Sequence, residues 1–233
     1  MGILWIASYP RSGNTLARMA LWHVYGVESR SLYSDGALDK KGLQGLGLLF
    51  DPNPLSRVEG LREGKQICPV KTHVYLGNVK GTLPLPIEPA IYVHRDGRDA
   101  LLSHAYFIQA HHNKGKEVQD ILYQLVHGAR KGTRPWSASV LSWANRPRTA
   151  YVSYRELSAD PIGSIRRCVA ELELDWEEQE QGVMPTFEQL HEIAPAFFRE
   201  GIHGQGKKEM PKDLHKVFWA RHGEGMEHYG YSH

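Results

Sequence analysis

Cysteine is scarce: a chain of 233 residues holds two, Cys68 and Cys168. Set far apart and without a Cys-x-x-Cys spacing, they support neither a disulfide framework nor a structural zinc site. A reducing, cytoplasmic setting is the expectation that follows. An excess of charge of one sign is missing too. Lys and Arg number 28 against 26 Asp and Glu, a formal net charge of +2, so no general basic field points to nucleic acid. Any anion site must be local. Long hydrophobic runs are also lacking, since Ile3 to Ala7 and Gly45 to Phe50 fall far short of the ~20 apolar residues that cross a bilayer. The first residues carry no basic n-region or extended apolar core of a secretory signal, and Ile6 stands where a myristoylation motif has Ser or Thr. Neither a membrane nor a nucleic acid is an expected partner.

What is present is ordinary globular material, 41% hydrophobic, 23% charged and 10% aromatic, enough for a sizeable core. The length fits one domain over residues 1–233. Ile3 to Ala7 reads as a strand closed by the turn Ser8-Tyr9-Pro10-Arg11-Ser12-Gly13, after which Leu16, Met19, Ala20, His23 and Val24 recur at helical spacing. Ser29 to Gly64, rich in Gly and Pro, reads as irregular with one short helix at most. Ile67 to Val70 and Ala90 to Val93 are the next strands, the second led by Pro84, Pro86 and Pro89. Helices are expected over Asp99 to Ala110, Glu117 to Ala129 and Ser137 to Asn145. Thr149 to Tyr154 is strand-like, and Asp160-Pro161 supplies an N-cap with Pro at the first helical position. Phe197 to Met210 is rich in Gly and Lys, and Pro211 opens a last helix through about His222 or slightly beyond. Strands alternating with helices imply an α/β fold with a central parallel sheet flanked by helices on both faces.

In such sheets ligands bind beyond the carboxyl ends of the strands, where helix N-termini offer unpaired amides to anions. Tyr9 to Thr15 suits that place, with small residues, hydroxyl donors and the cation of Arg11. It is no Walker A loop, because no Gly stands four residues before Ser12 and no Lys follows Gly13. An ordinary nucleotide triphosphatase is therefore disfavoured.

Tyr9 to Leu16 resembles Y-P-K-S-G-T-T-W, the 5'-phosphosulfate loop of the sulfotransferases that use 3'-phosphoadenosine 5'-phosphosulfate (PAPS). Val93-His94-Arg95-Asp96-Gly97-Arg98-Asp99-Ala100-Leu101-Leu102-Ser103 is similar to the family's 3'-phosphate element, an Arg after a strand with Ser on the following helix. Arg199 to Lys208 resembles R-K-G-x-x-G-D-W-K-N, and Lys71-Thr72-His73 matches K-T-H. Tyr151 to Leu157 and Tyr229-Gly230-Tyr231 echo the family's Y-E-D-L and L-G-Y segments. These elements stand in family order along essentially the whole chain. The resemblance implies the P-loop-kinase-like sulfotransferase fold, PAPS as donor cosubstrate without a metal, and a small hydroxylated acceptor.

Residue by residue, the resemblance implies His73 as general base with Lys71 and Arg11 stabilising the leaving group. It assigns nucleotide binding to Arg11, Ser12, Gly13, Asn14, Thr15, Arg95, Ser103, Tyr154, Phe187, Arg199, Glu200 and Gly201, and acceptor binding to His73 and Phe107. Arg11 replaces the family's Lys by a planar fork, while Leu16 and Gly206 replace two Trp residues. For Arg98 an ion pair with Asp96 or Asp99 is at least as strong a reading as a phosphate contact. His104, His111 and His112 lack an acidic or Cys ligand that would complete a metal site. Residues 106–148, with Tyr123, Trp136 and Trp143, form either a helical acceptor-site lid or helices that pack on themselves. The rivals are a catalytically silent protein that binds adenosine 3',5'-bisphosphate (PAP) and a nucleotide kinase on the same broad fold.

Overall fold

The computed structural model describes residues 2–33, 43, 45–49, 60–62, 66–76, 87–179 and 181–233. Five strands, β1 (Ile3–Ser8), β2 (Arg30–Ser31), β3 (Cys68–Thr72), β4 (Ala90–His94) and β5 (Thr149–Ser153), form one sheet in the order β2-β3-β1-β4-β5. Every pairing is parallel, and β1 lies at the centre with Trp5 opposite both Val70 and Ala90. The helices that lie wholly among the described residues are α1 (Asn14–Tyr25), α2 (Gly97–His112), α3 (Val118–Val126), α4 (Trp136–Leu141), α5 (Tyr154–Ala159), α6 (Pro161–Glu171), α7 (Phe187–Ile193), α8 (Gln205–Glu209) and α9 (Lys212–His228).

All six residues of β1 are buried, as a strand covered on both faces requires. Their alternation divides them between two cores. Ile3, Trp5 and Ala7 join residues of α2, α3, α4 and α9, whereas Leu4 and Ile6 join α1 and α6. The α/β fold with helices on both faces is therefore the observed one. The chain runs to β2 and β3 on one side of β1 and to β4 and β5 on the other, so the loops leaving the strands' carboxyl ends converge at a topological switch point.

Several boundaries differ from the sequence reading, each for a local reason. Tyr154 begins α5 instead of ending β5, because Ser153 and Glu156 form a capping box: Ser153 Oγ accepts the Glu156 amide at 3.1 Å, and the Glu156 carboxylate accepts the Ser153 amide at 2.9 Å. Asp160 caps α6 as expected, accepting the Gly163 amide at 2.9 Å with Pro161 at the first position. The last helix runs on to His228, since Met226 is buried in the core and prolongs the apolar face. Between Phe197 and Met210 lies the short helix α8. Within Ser29 to Gly64 the structure adds the edge strand β2, while residues 34–42, 44, 50–59 and 63–64 of that span lie outside the described residues.

Trp136 and Trp143 are enclosed in the core, Trp136 beside Phe218 and Trp143 stacked on Tyr92 at 5.5 Å. Both rings thus belong to the main core, Trp143 against β4 and Trp136 against α9. Arg98 pairs with Asp96 at 2.6 Å. No described helix is long and apolar enough to cross a membrane.

Candidate active site

The turn after β1 is built by backbone torsion. Arg11 has φ 66° and Gly13 has φ 108°, both in the left-handed region. A Cβ on Gly13 would lie 2.7 Å from Tyr154 Cδ2, so torsion and space both demand glycine there. Asn14 anchors the start of α1, its Nδ2 donating to the Ile6 carbonyl at 2.7 Å. No side chain caps α1, so its first amides stay available to an anion.

Beyond this turn opens a cavity of about 720 Å³. Arg11, Gly13, Asn14, Thr15, Lys71, His73, Arg95, Ser103, Phe107, Tyr154, Phe187, Arg199, Glu200 and Gly201 all line it. Of the residues that the resemblance assigns to catalysis or binding, Ser12 alone is not on the wall. It is buried, and among the described residues its hydroxyl has no hydrogen-bond partner.

The basic groups are held firmly. Arg11 Nε donates to Ser103 Oγ at 3.3 Å, an Nη donates to the Phe197 carbonyl, and the guanidinium lies 4.3 Å from the Phe197 ring centre. Burial, reinforced by the charge of Arg95, lowers the Arg11 pKa to about 10, which leaves it cationic at neutral pH. Arg95 donates to the carbonyls of Arg11 and Ile202, both at 3.1 Å, and lies 4.3 Å over Tyr154. Its Nε is buried, without a partner among the described residues. Lys71 is buried on β3 and reaches the same cavity. Arg199 donates to Glu200 and, at 2.7 Å, to Gln205, and it covers the Tyr106 ring at 4.0 Å.

His73, which lines the same cavity, has its Nδ1 2.8 Å from the Ser8 carbonyl. A carbonyl only accepts, so Nδ1 carries the proton and Nε2 keeps its lone pair. Tyr33 fixes the ring, stacking on it at 5.5 Å while its hydroxyl accepts the His73 amide at 2.9 Å.

The segment after Arg199 is shaped from a distance. The Asp99 carboxylate accepts the amides of Gly204 and Gly206 at 2.8 and 2.7 Å. A Cβ on Gly206 would sit 2.2 Å from the Arg98 carbonyl carbon, so no Trp fits at the position where the resemblance would place one. Phe187 packs under Gly201, whose Cβ would come within 2.6 Å of the ring.

Sequence reasoning missed Tyr33, Asp99 and Phe197 as parts of this site. Tyr33 falls in a stretch read as irregular, and Asp99 looked like an ion-pair partner for Arg98. Phe197 carried no motif signal. Among the described residues, no group of three or more His, Cys, Asp or Glu is arranged to hold a metal.

Residues 3–230 match the family model described as the sulfotransferase domain. Among solved structures, the chain is similar to mouse sulfotransferase SULT7A1 complexed with PAP, at 16% identity and a TM-score of 0.62, covering 99% of this chain and 89% of that one. It is also similar to retinol dehydratase in complex with androsterone and inactive cofactor PAP, at 19% identity and a TM-score of 0.59, over 97% and 81% of the two chains. A sulfotransferase from Alicyclobacillus acidocaldarius is similar at 11% identity and a TM-score of 0.53, over 97% and 93%. At these identities the likeness is one of fold. Comparison with curated protein sequences found no match.

Proposed function

The chain belongs to the sulfotransferase family, and from that premise we propose that it transfers a sulfuryl group from PAPS to the hydroxyl of a small acceptor, releasing PAP. One observation carries this reading: Arg11, Lys71, Arg95 and Arg199 converge on a single cavity that His73 also lines, its Nδ1 held by the Ser8 carbonyl. The unpartnered buried donors Ser12 Oγ and Arg95 Nε fit an anionic nucleotide, since each lacks a bond that a phosphate oxygen would supply.

Bound PAPS supplies an activated sulfuryl group on a phosphate leaving group. His73 takes the acceptor's proton at Nε2. Lys71 and Arg11 offset the negative charge that gathers on the departing oxygen. The α1 amides with Ser12, Gly13, Asn14 and Thr15 hold the 5' end, while Arg95, Ser103, Arg199, Glu200 and Gly201 hold the 3'-phosphate. Tyr154 and Phe187 flank the nucleoside. Residues 106–148 belong to the same single domain and cover the acceptor end, a reading supported by Phe107, His112 and Gly132 on the cavity wall. Retinol and androsterone, named with the retinol dehydratase structures, are small hydroxylated molecules of the acceptor class we favour. Two cysteines without a disulfide accord with a cytoplasmic setting.

Calorimetric titration with PAP, beside ATP and 5'-AMP, tests the donor site without a guess about the acceptor. Micromolar or tighter binding that requires the 3'-phosphate is expected, and no binding would refute the reading. His73→Ala should keep PAP affinity while transfer falls about a hundredfold or more. Binding lost together with transfer would remove His73 from the role of base.

A further inference from the structure

The cavity wall carries two further imidazoles that the reaction above leaves unused, His104 and His112, and the first is the more deeply set. His104 follows Ser103 on α2, is 9% exposed, and shares the cavity wall with Arg11, His73 and Phe107. Its Nδ1 lies 3.4 Å from the hydroxyl of Tyr9, whose ring meets it edge-on at 5.7 Å. Tyr9 is only 3% exposed, and burial holds its phenol well above the usual range, so it keeps its proton. A buried O–H requires an acceptor, and His104 Nδ1 is the one in reach. Tyr9 therefore donates to Nδ1, which leaves the imidazole proton on Nε2.

No protein group bonds Nε2 among the described residues, and it is not among the enclosed orphan atoms, as His111 Nε2 is. It therefore keeps accessible surface, on a ring that lines the cavity. Burial, with the charges of Arg11 and then His73 acting on the ring, lowers the His104 pKa to about 3. The ring is thus a neutral, single N–H donor at working pH.

We propose that His104 binds the acceptor: its Nε2–H donates to the hydroxyl oxygen whose proton His73 removes. This rests on the sulfuryl-transfer reading. A hydroxyl oxygen has one proton and two lone pairs. The proton passes to His73 and one lone pair accepts from His104. The other forms the new O–S bond as the S–O bond to the nucleotide phosphate breaks and its electron pair leaves on that phosphate. An amine nitrogen has a single lone pair, so it cannot both accept from His104 and attack sulfur. His104 therefore selects oxygen over nitrogen acceptors.

Transfer to 2-naphthol and to 2-naphthylamine, at saturating PAPS, tests the proposal. His104→Phe should lower kcat/KM for 2-naphthol at least tenfold, change that for 2-naphthylamine less than threefold, and leave the Kd for PAP within twofold. His104→Gln, which keeps an N–H donor, should restore the 2-naphthol rate to within about threefold. Equal losses on both acceptors, or a parallel loss of PAP affinity in both variants, would overturn it. Nitrogen-15 NMR of labelled histidine in the PAP complex decides independently of turnover. The expected spectrum places the His104 proton on Nε2, shifts that resonance on addition of 2-naphthol, and loses the tautomer preference in Tyr9→Phe. A proton on Nδ1, or no shift with 2-naphthol, would refute the proposal alone. A wild-type chain that binds no PAP would refute the sulfuryl-transfer reading instead and take this one with it.

Discussion

The two loops that frame the basic side of the cavity are held in place by different means. The turn from Tyr9 to Gly13 is set chiefly by its own backbone, with Arg11 and Gly13 in left-handed torsions and Asn14 bonded back to Ile6, and with Arg95 reaching the Arg11 carbonyl from outside. The segment from Arg199 to Gln205 is held by residues remote in sequence: Asp99 on two of its amides or those beside it, Phe187 under Gly201, and Arg95 on the Ile202 carbonyl. A loop built by torsion is rigid wherever its own residues are right. A loop built by contacts is rigid only while its partners stay in place, and it can be loosened without disturbing the core.

Gly13→Ala breaks the first loop and should have the largest effect on the protein as a whole. The substitution forces a Cβ to within 2.7 Å of Tyr154 at φ 108°, a strain of about 2 to 3 kcal/mol. Thermal denaturation should show Tm falling by about 5 to 10 °C, with PAP affinity falling as well. An unchanged Tm would mean that this turn too is held by its surroundings.

Asp99→Ala strikes the second loop, and there stability and binding should part. The amides of Gly204 and Gly206 can turn to water as the segment loosens, so Tm should move by only a few degrees. PAP affinity should drop about tenfold, near the ~1.5 kcal/mol expected when a charge-assisted bond is lost. Calorimetry beside a melting curve separates the two. Equal damage to Tm would show that Asp99 belongs to the core and not to the loop.

The same division explains what could be read from the chain before its structure. Strand and helix alternation was plain because each strand, such as Ile3–Ser8 or Ala90–His94, ends in polar turn residues that carry their own signal. The loop after β1 was legible for the same reason. The helix α8 was not, since Asp99, which accepts amides of Gly204 and Gly206, lies on α2 far back in the chain. Nor was β2, two residues whose strand character comes from pairing with Val70 and Lys71. His104 was weighed only as a metal ligand, because its link to Tyr9 joins α2 to the turn after β1 across a long stretch of sequence. Contacts of that kind have no periodicity and no motif.

Phe187 offers the finest test of the contrast, with the smallest expected effect. The ring both lines the cavity and supports Gly201, so it can act on the nucleoside directly or through the loop. Phe187→Leu keeps an apolar side chain and should cost less than about 1 kcal/mol, a threefold to fivefold loss in PAP affinity. Titration with both PAP and 5'-AMP tells the routes apart. A loss confined to PAP means that the ring works by shaping the segment that reads the 3'-phosphate, as expected of a loop built by contacts. An equal loss on both ligands means that it works by stacking on the base, and the support under Gly201 would then be incidental to binding.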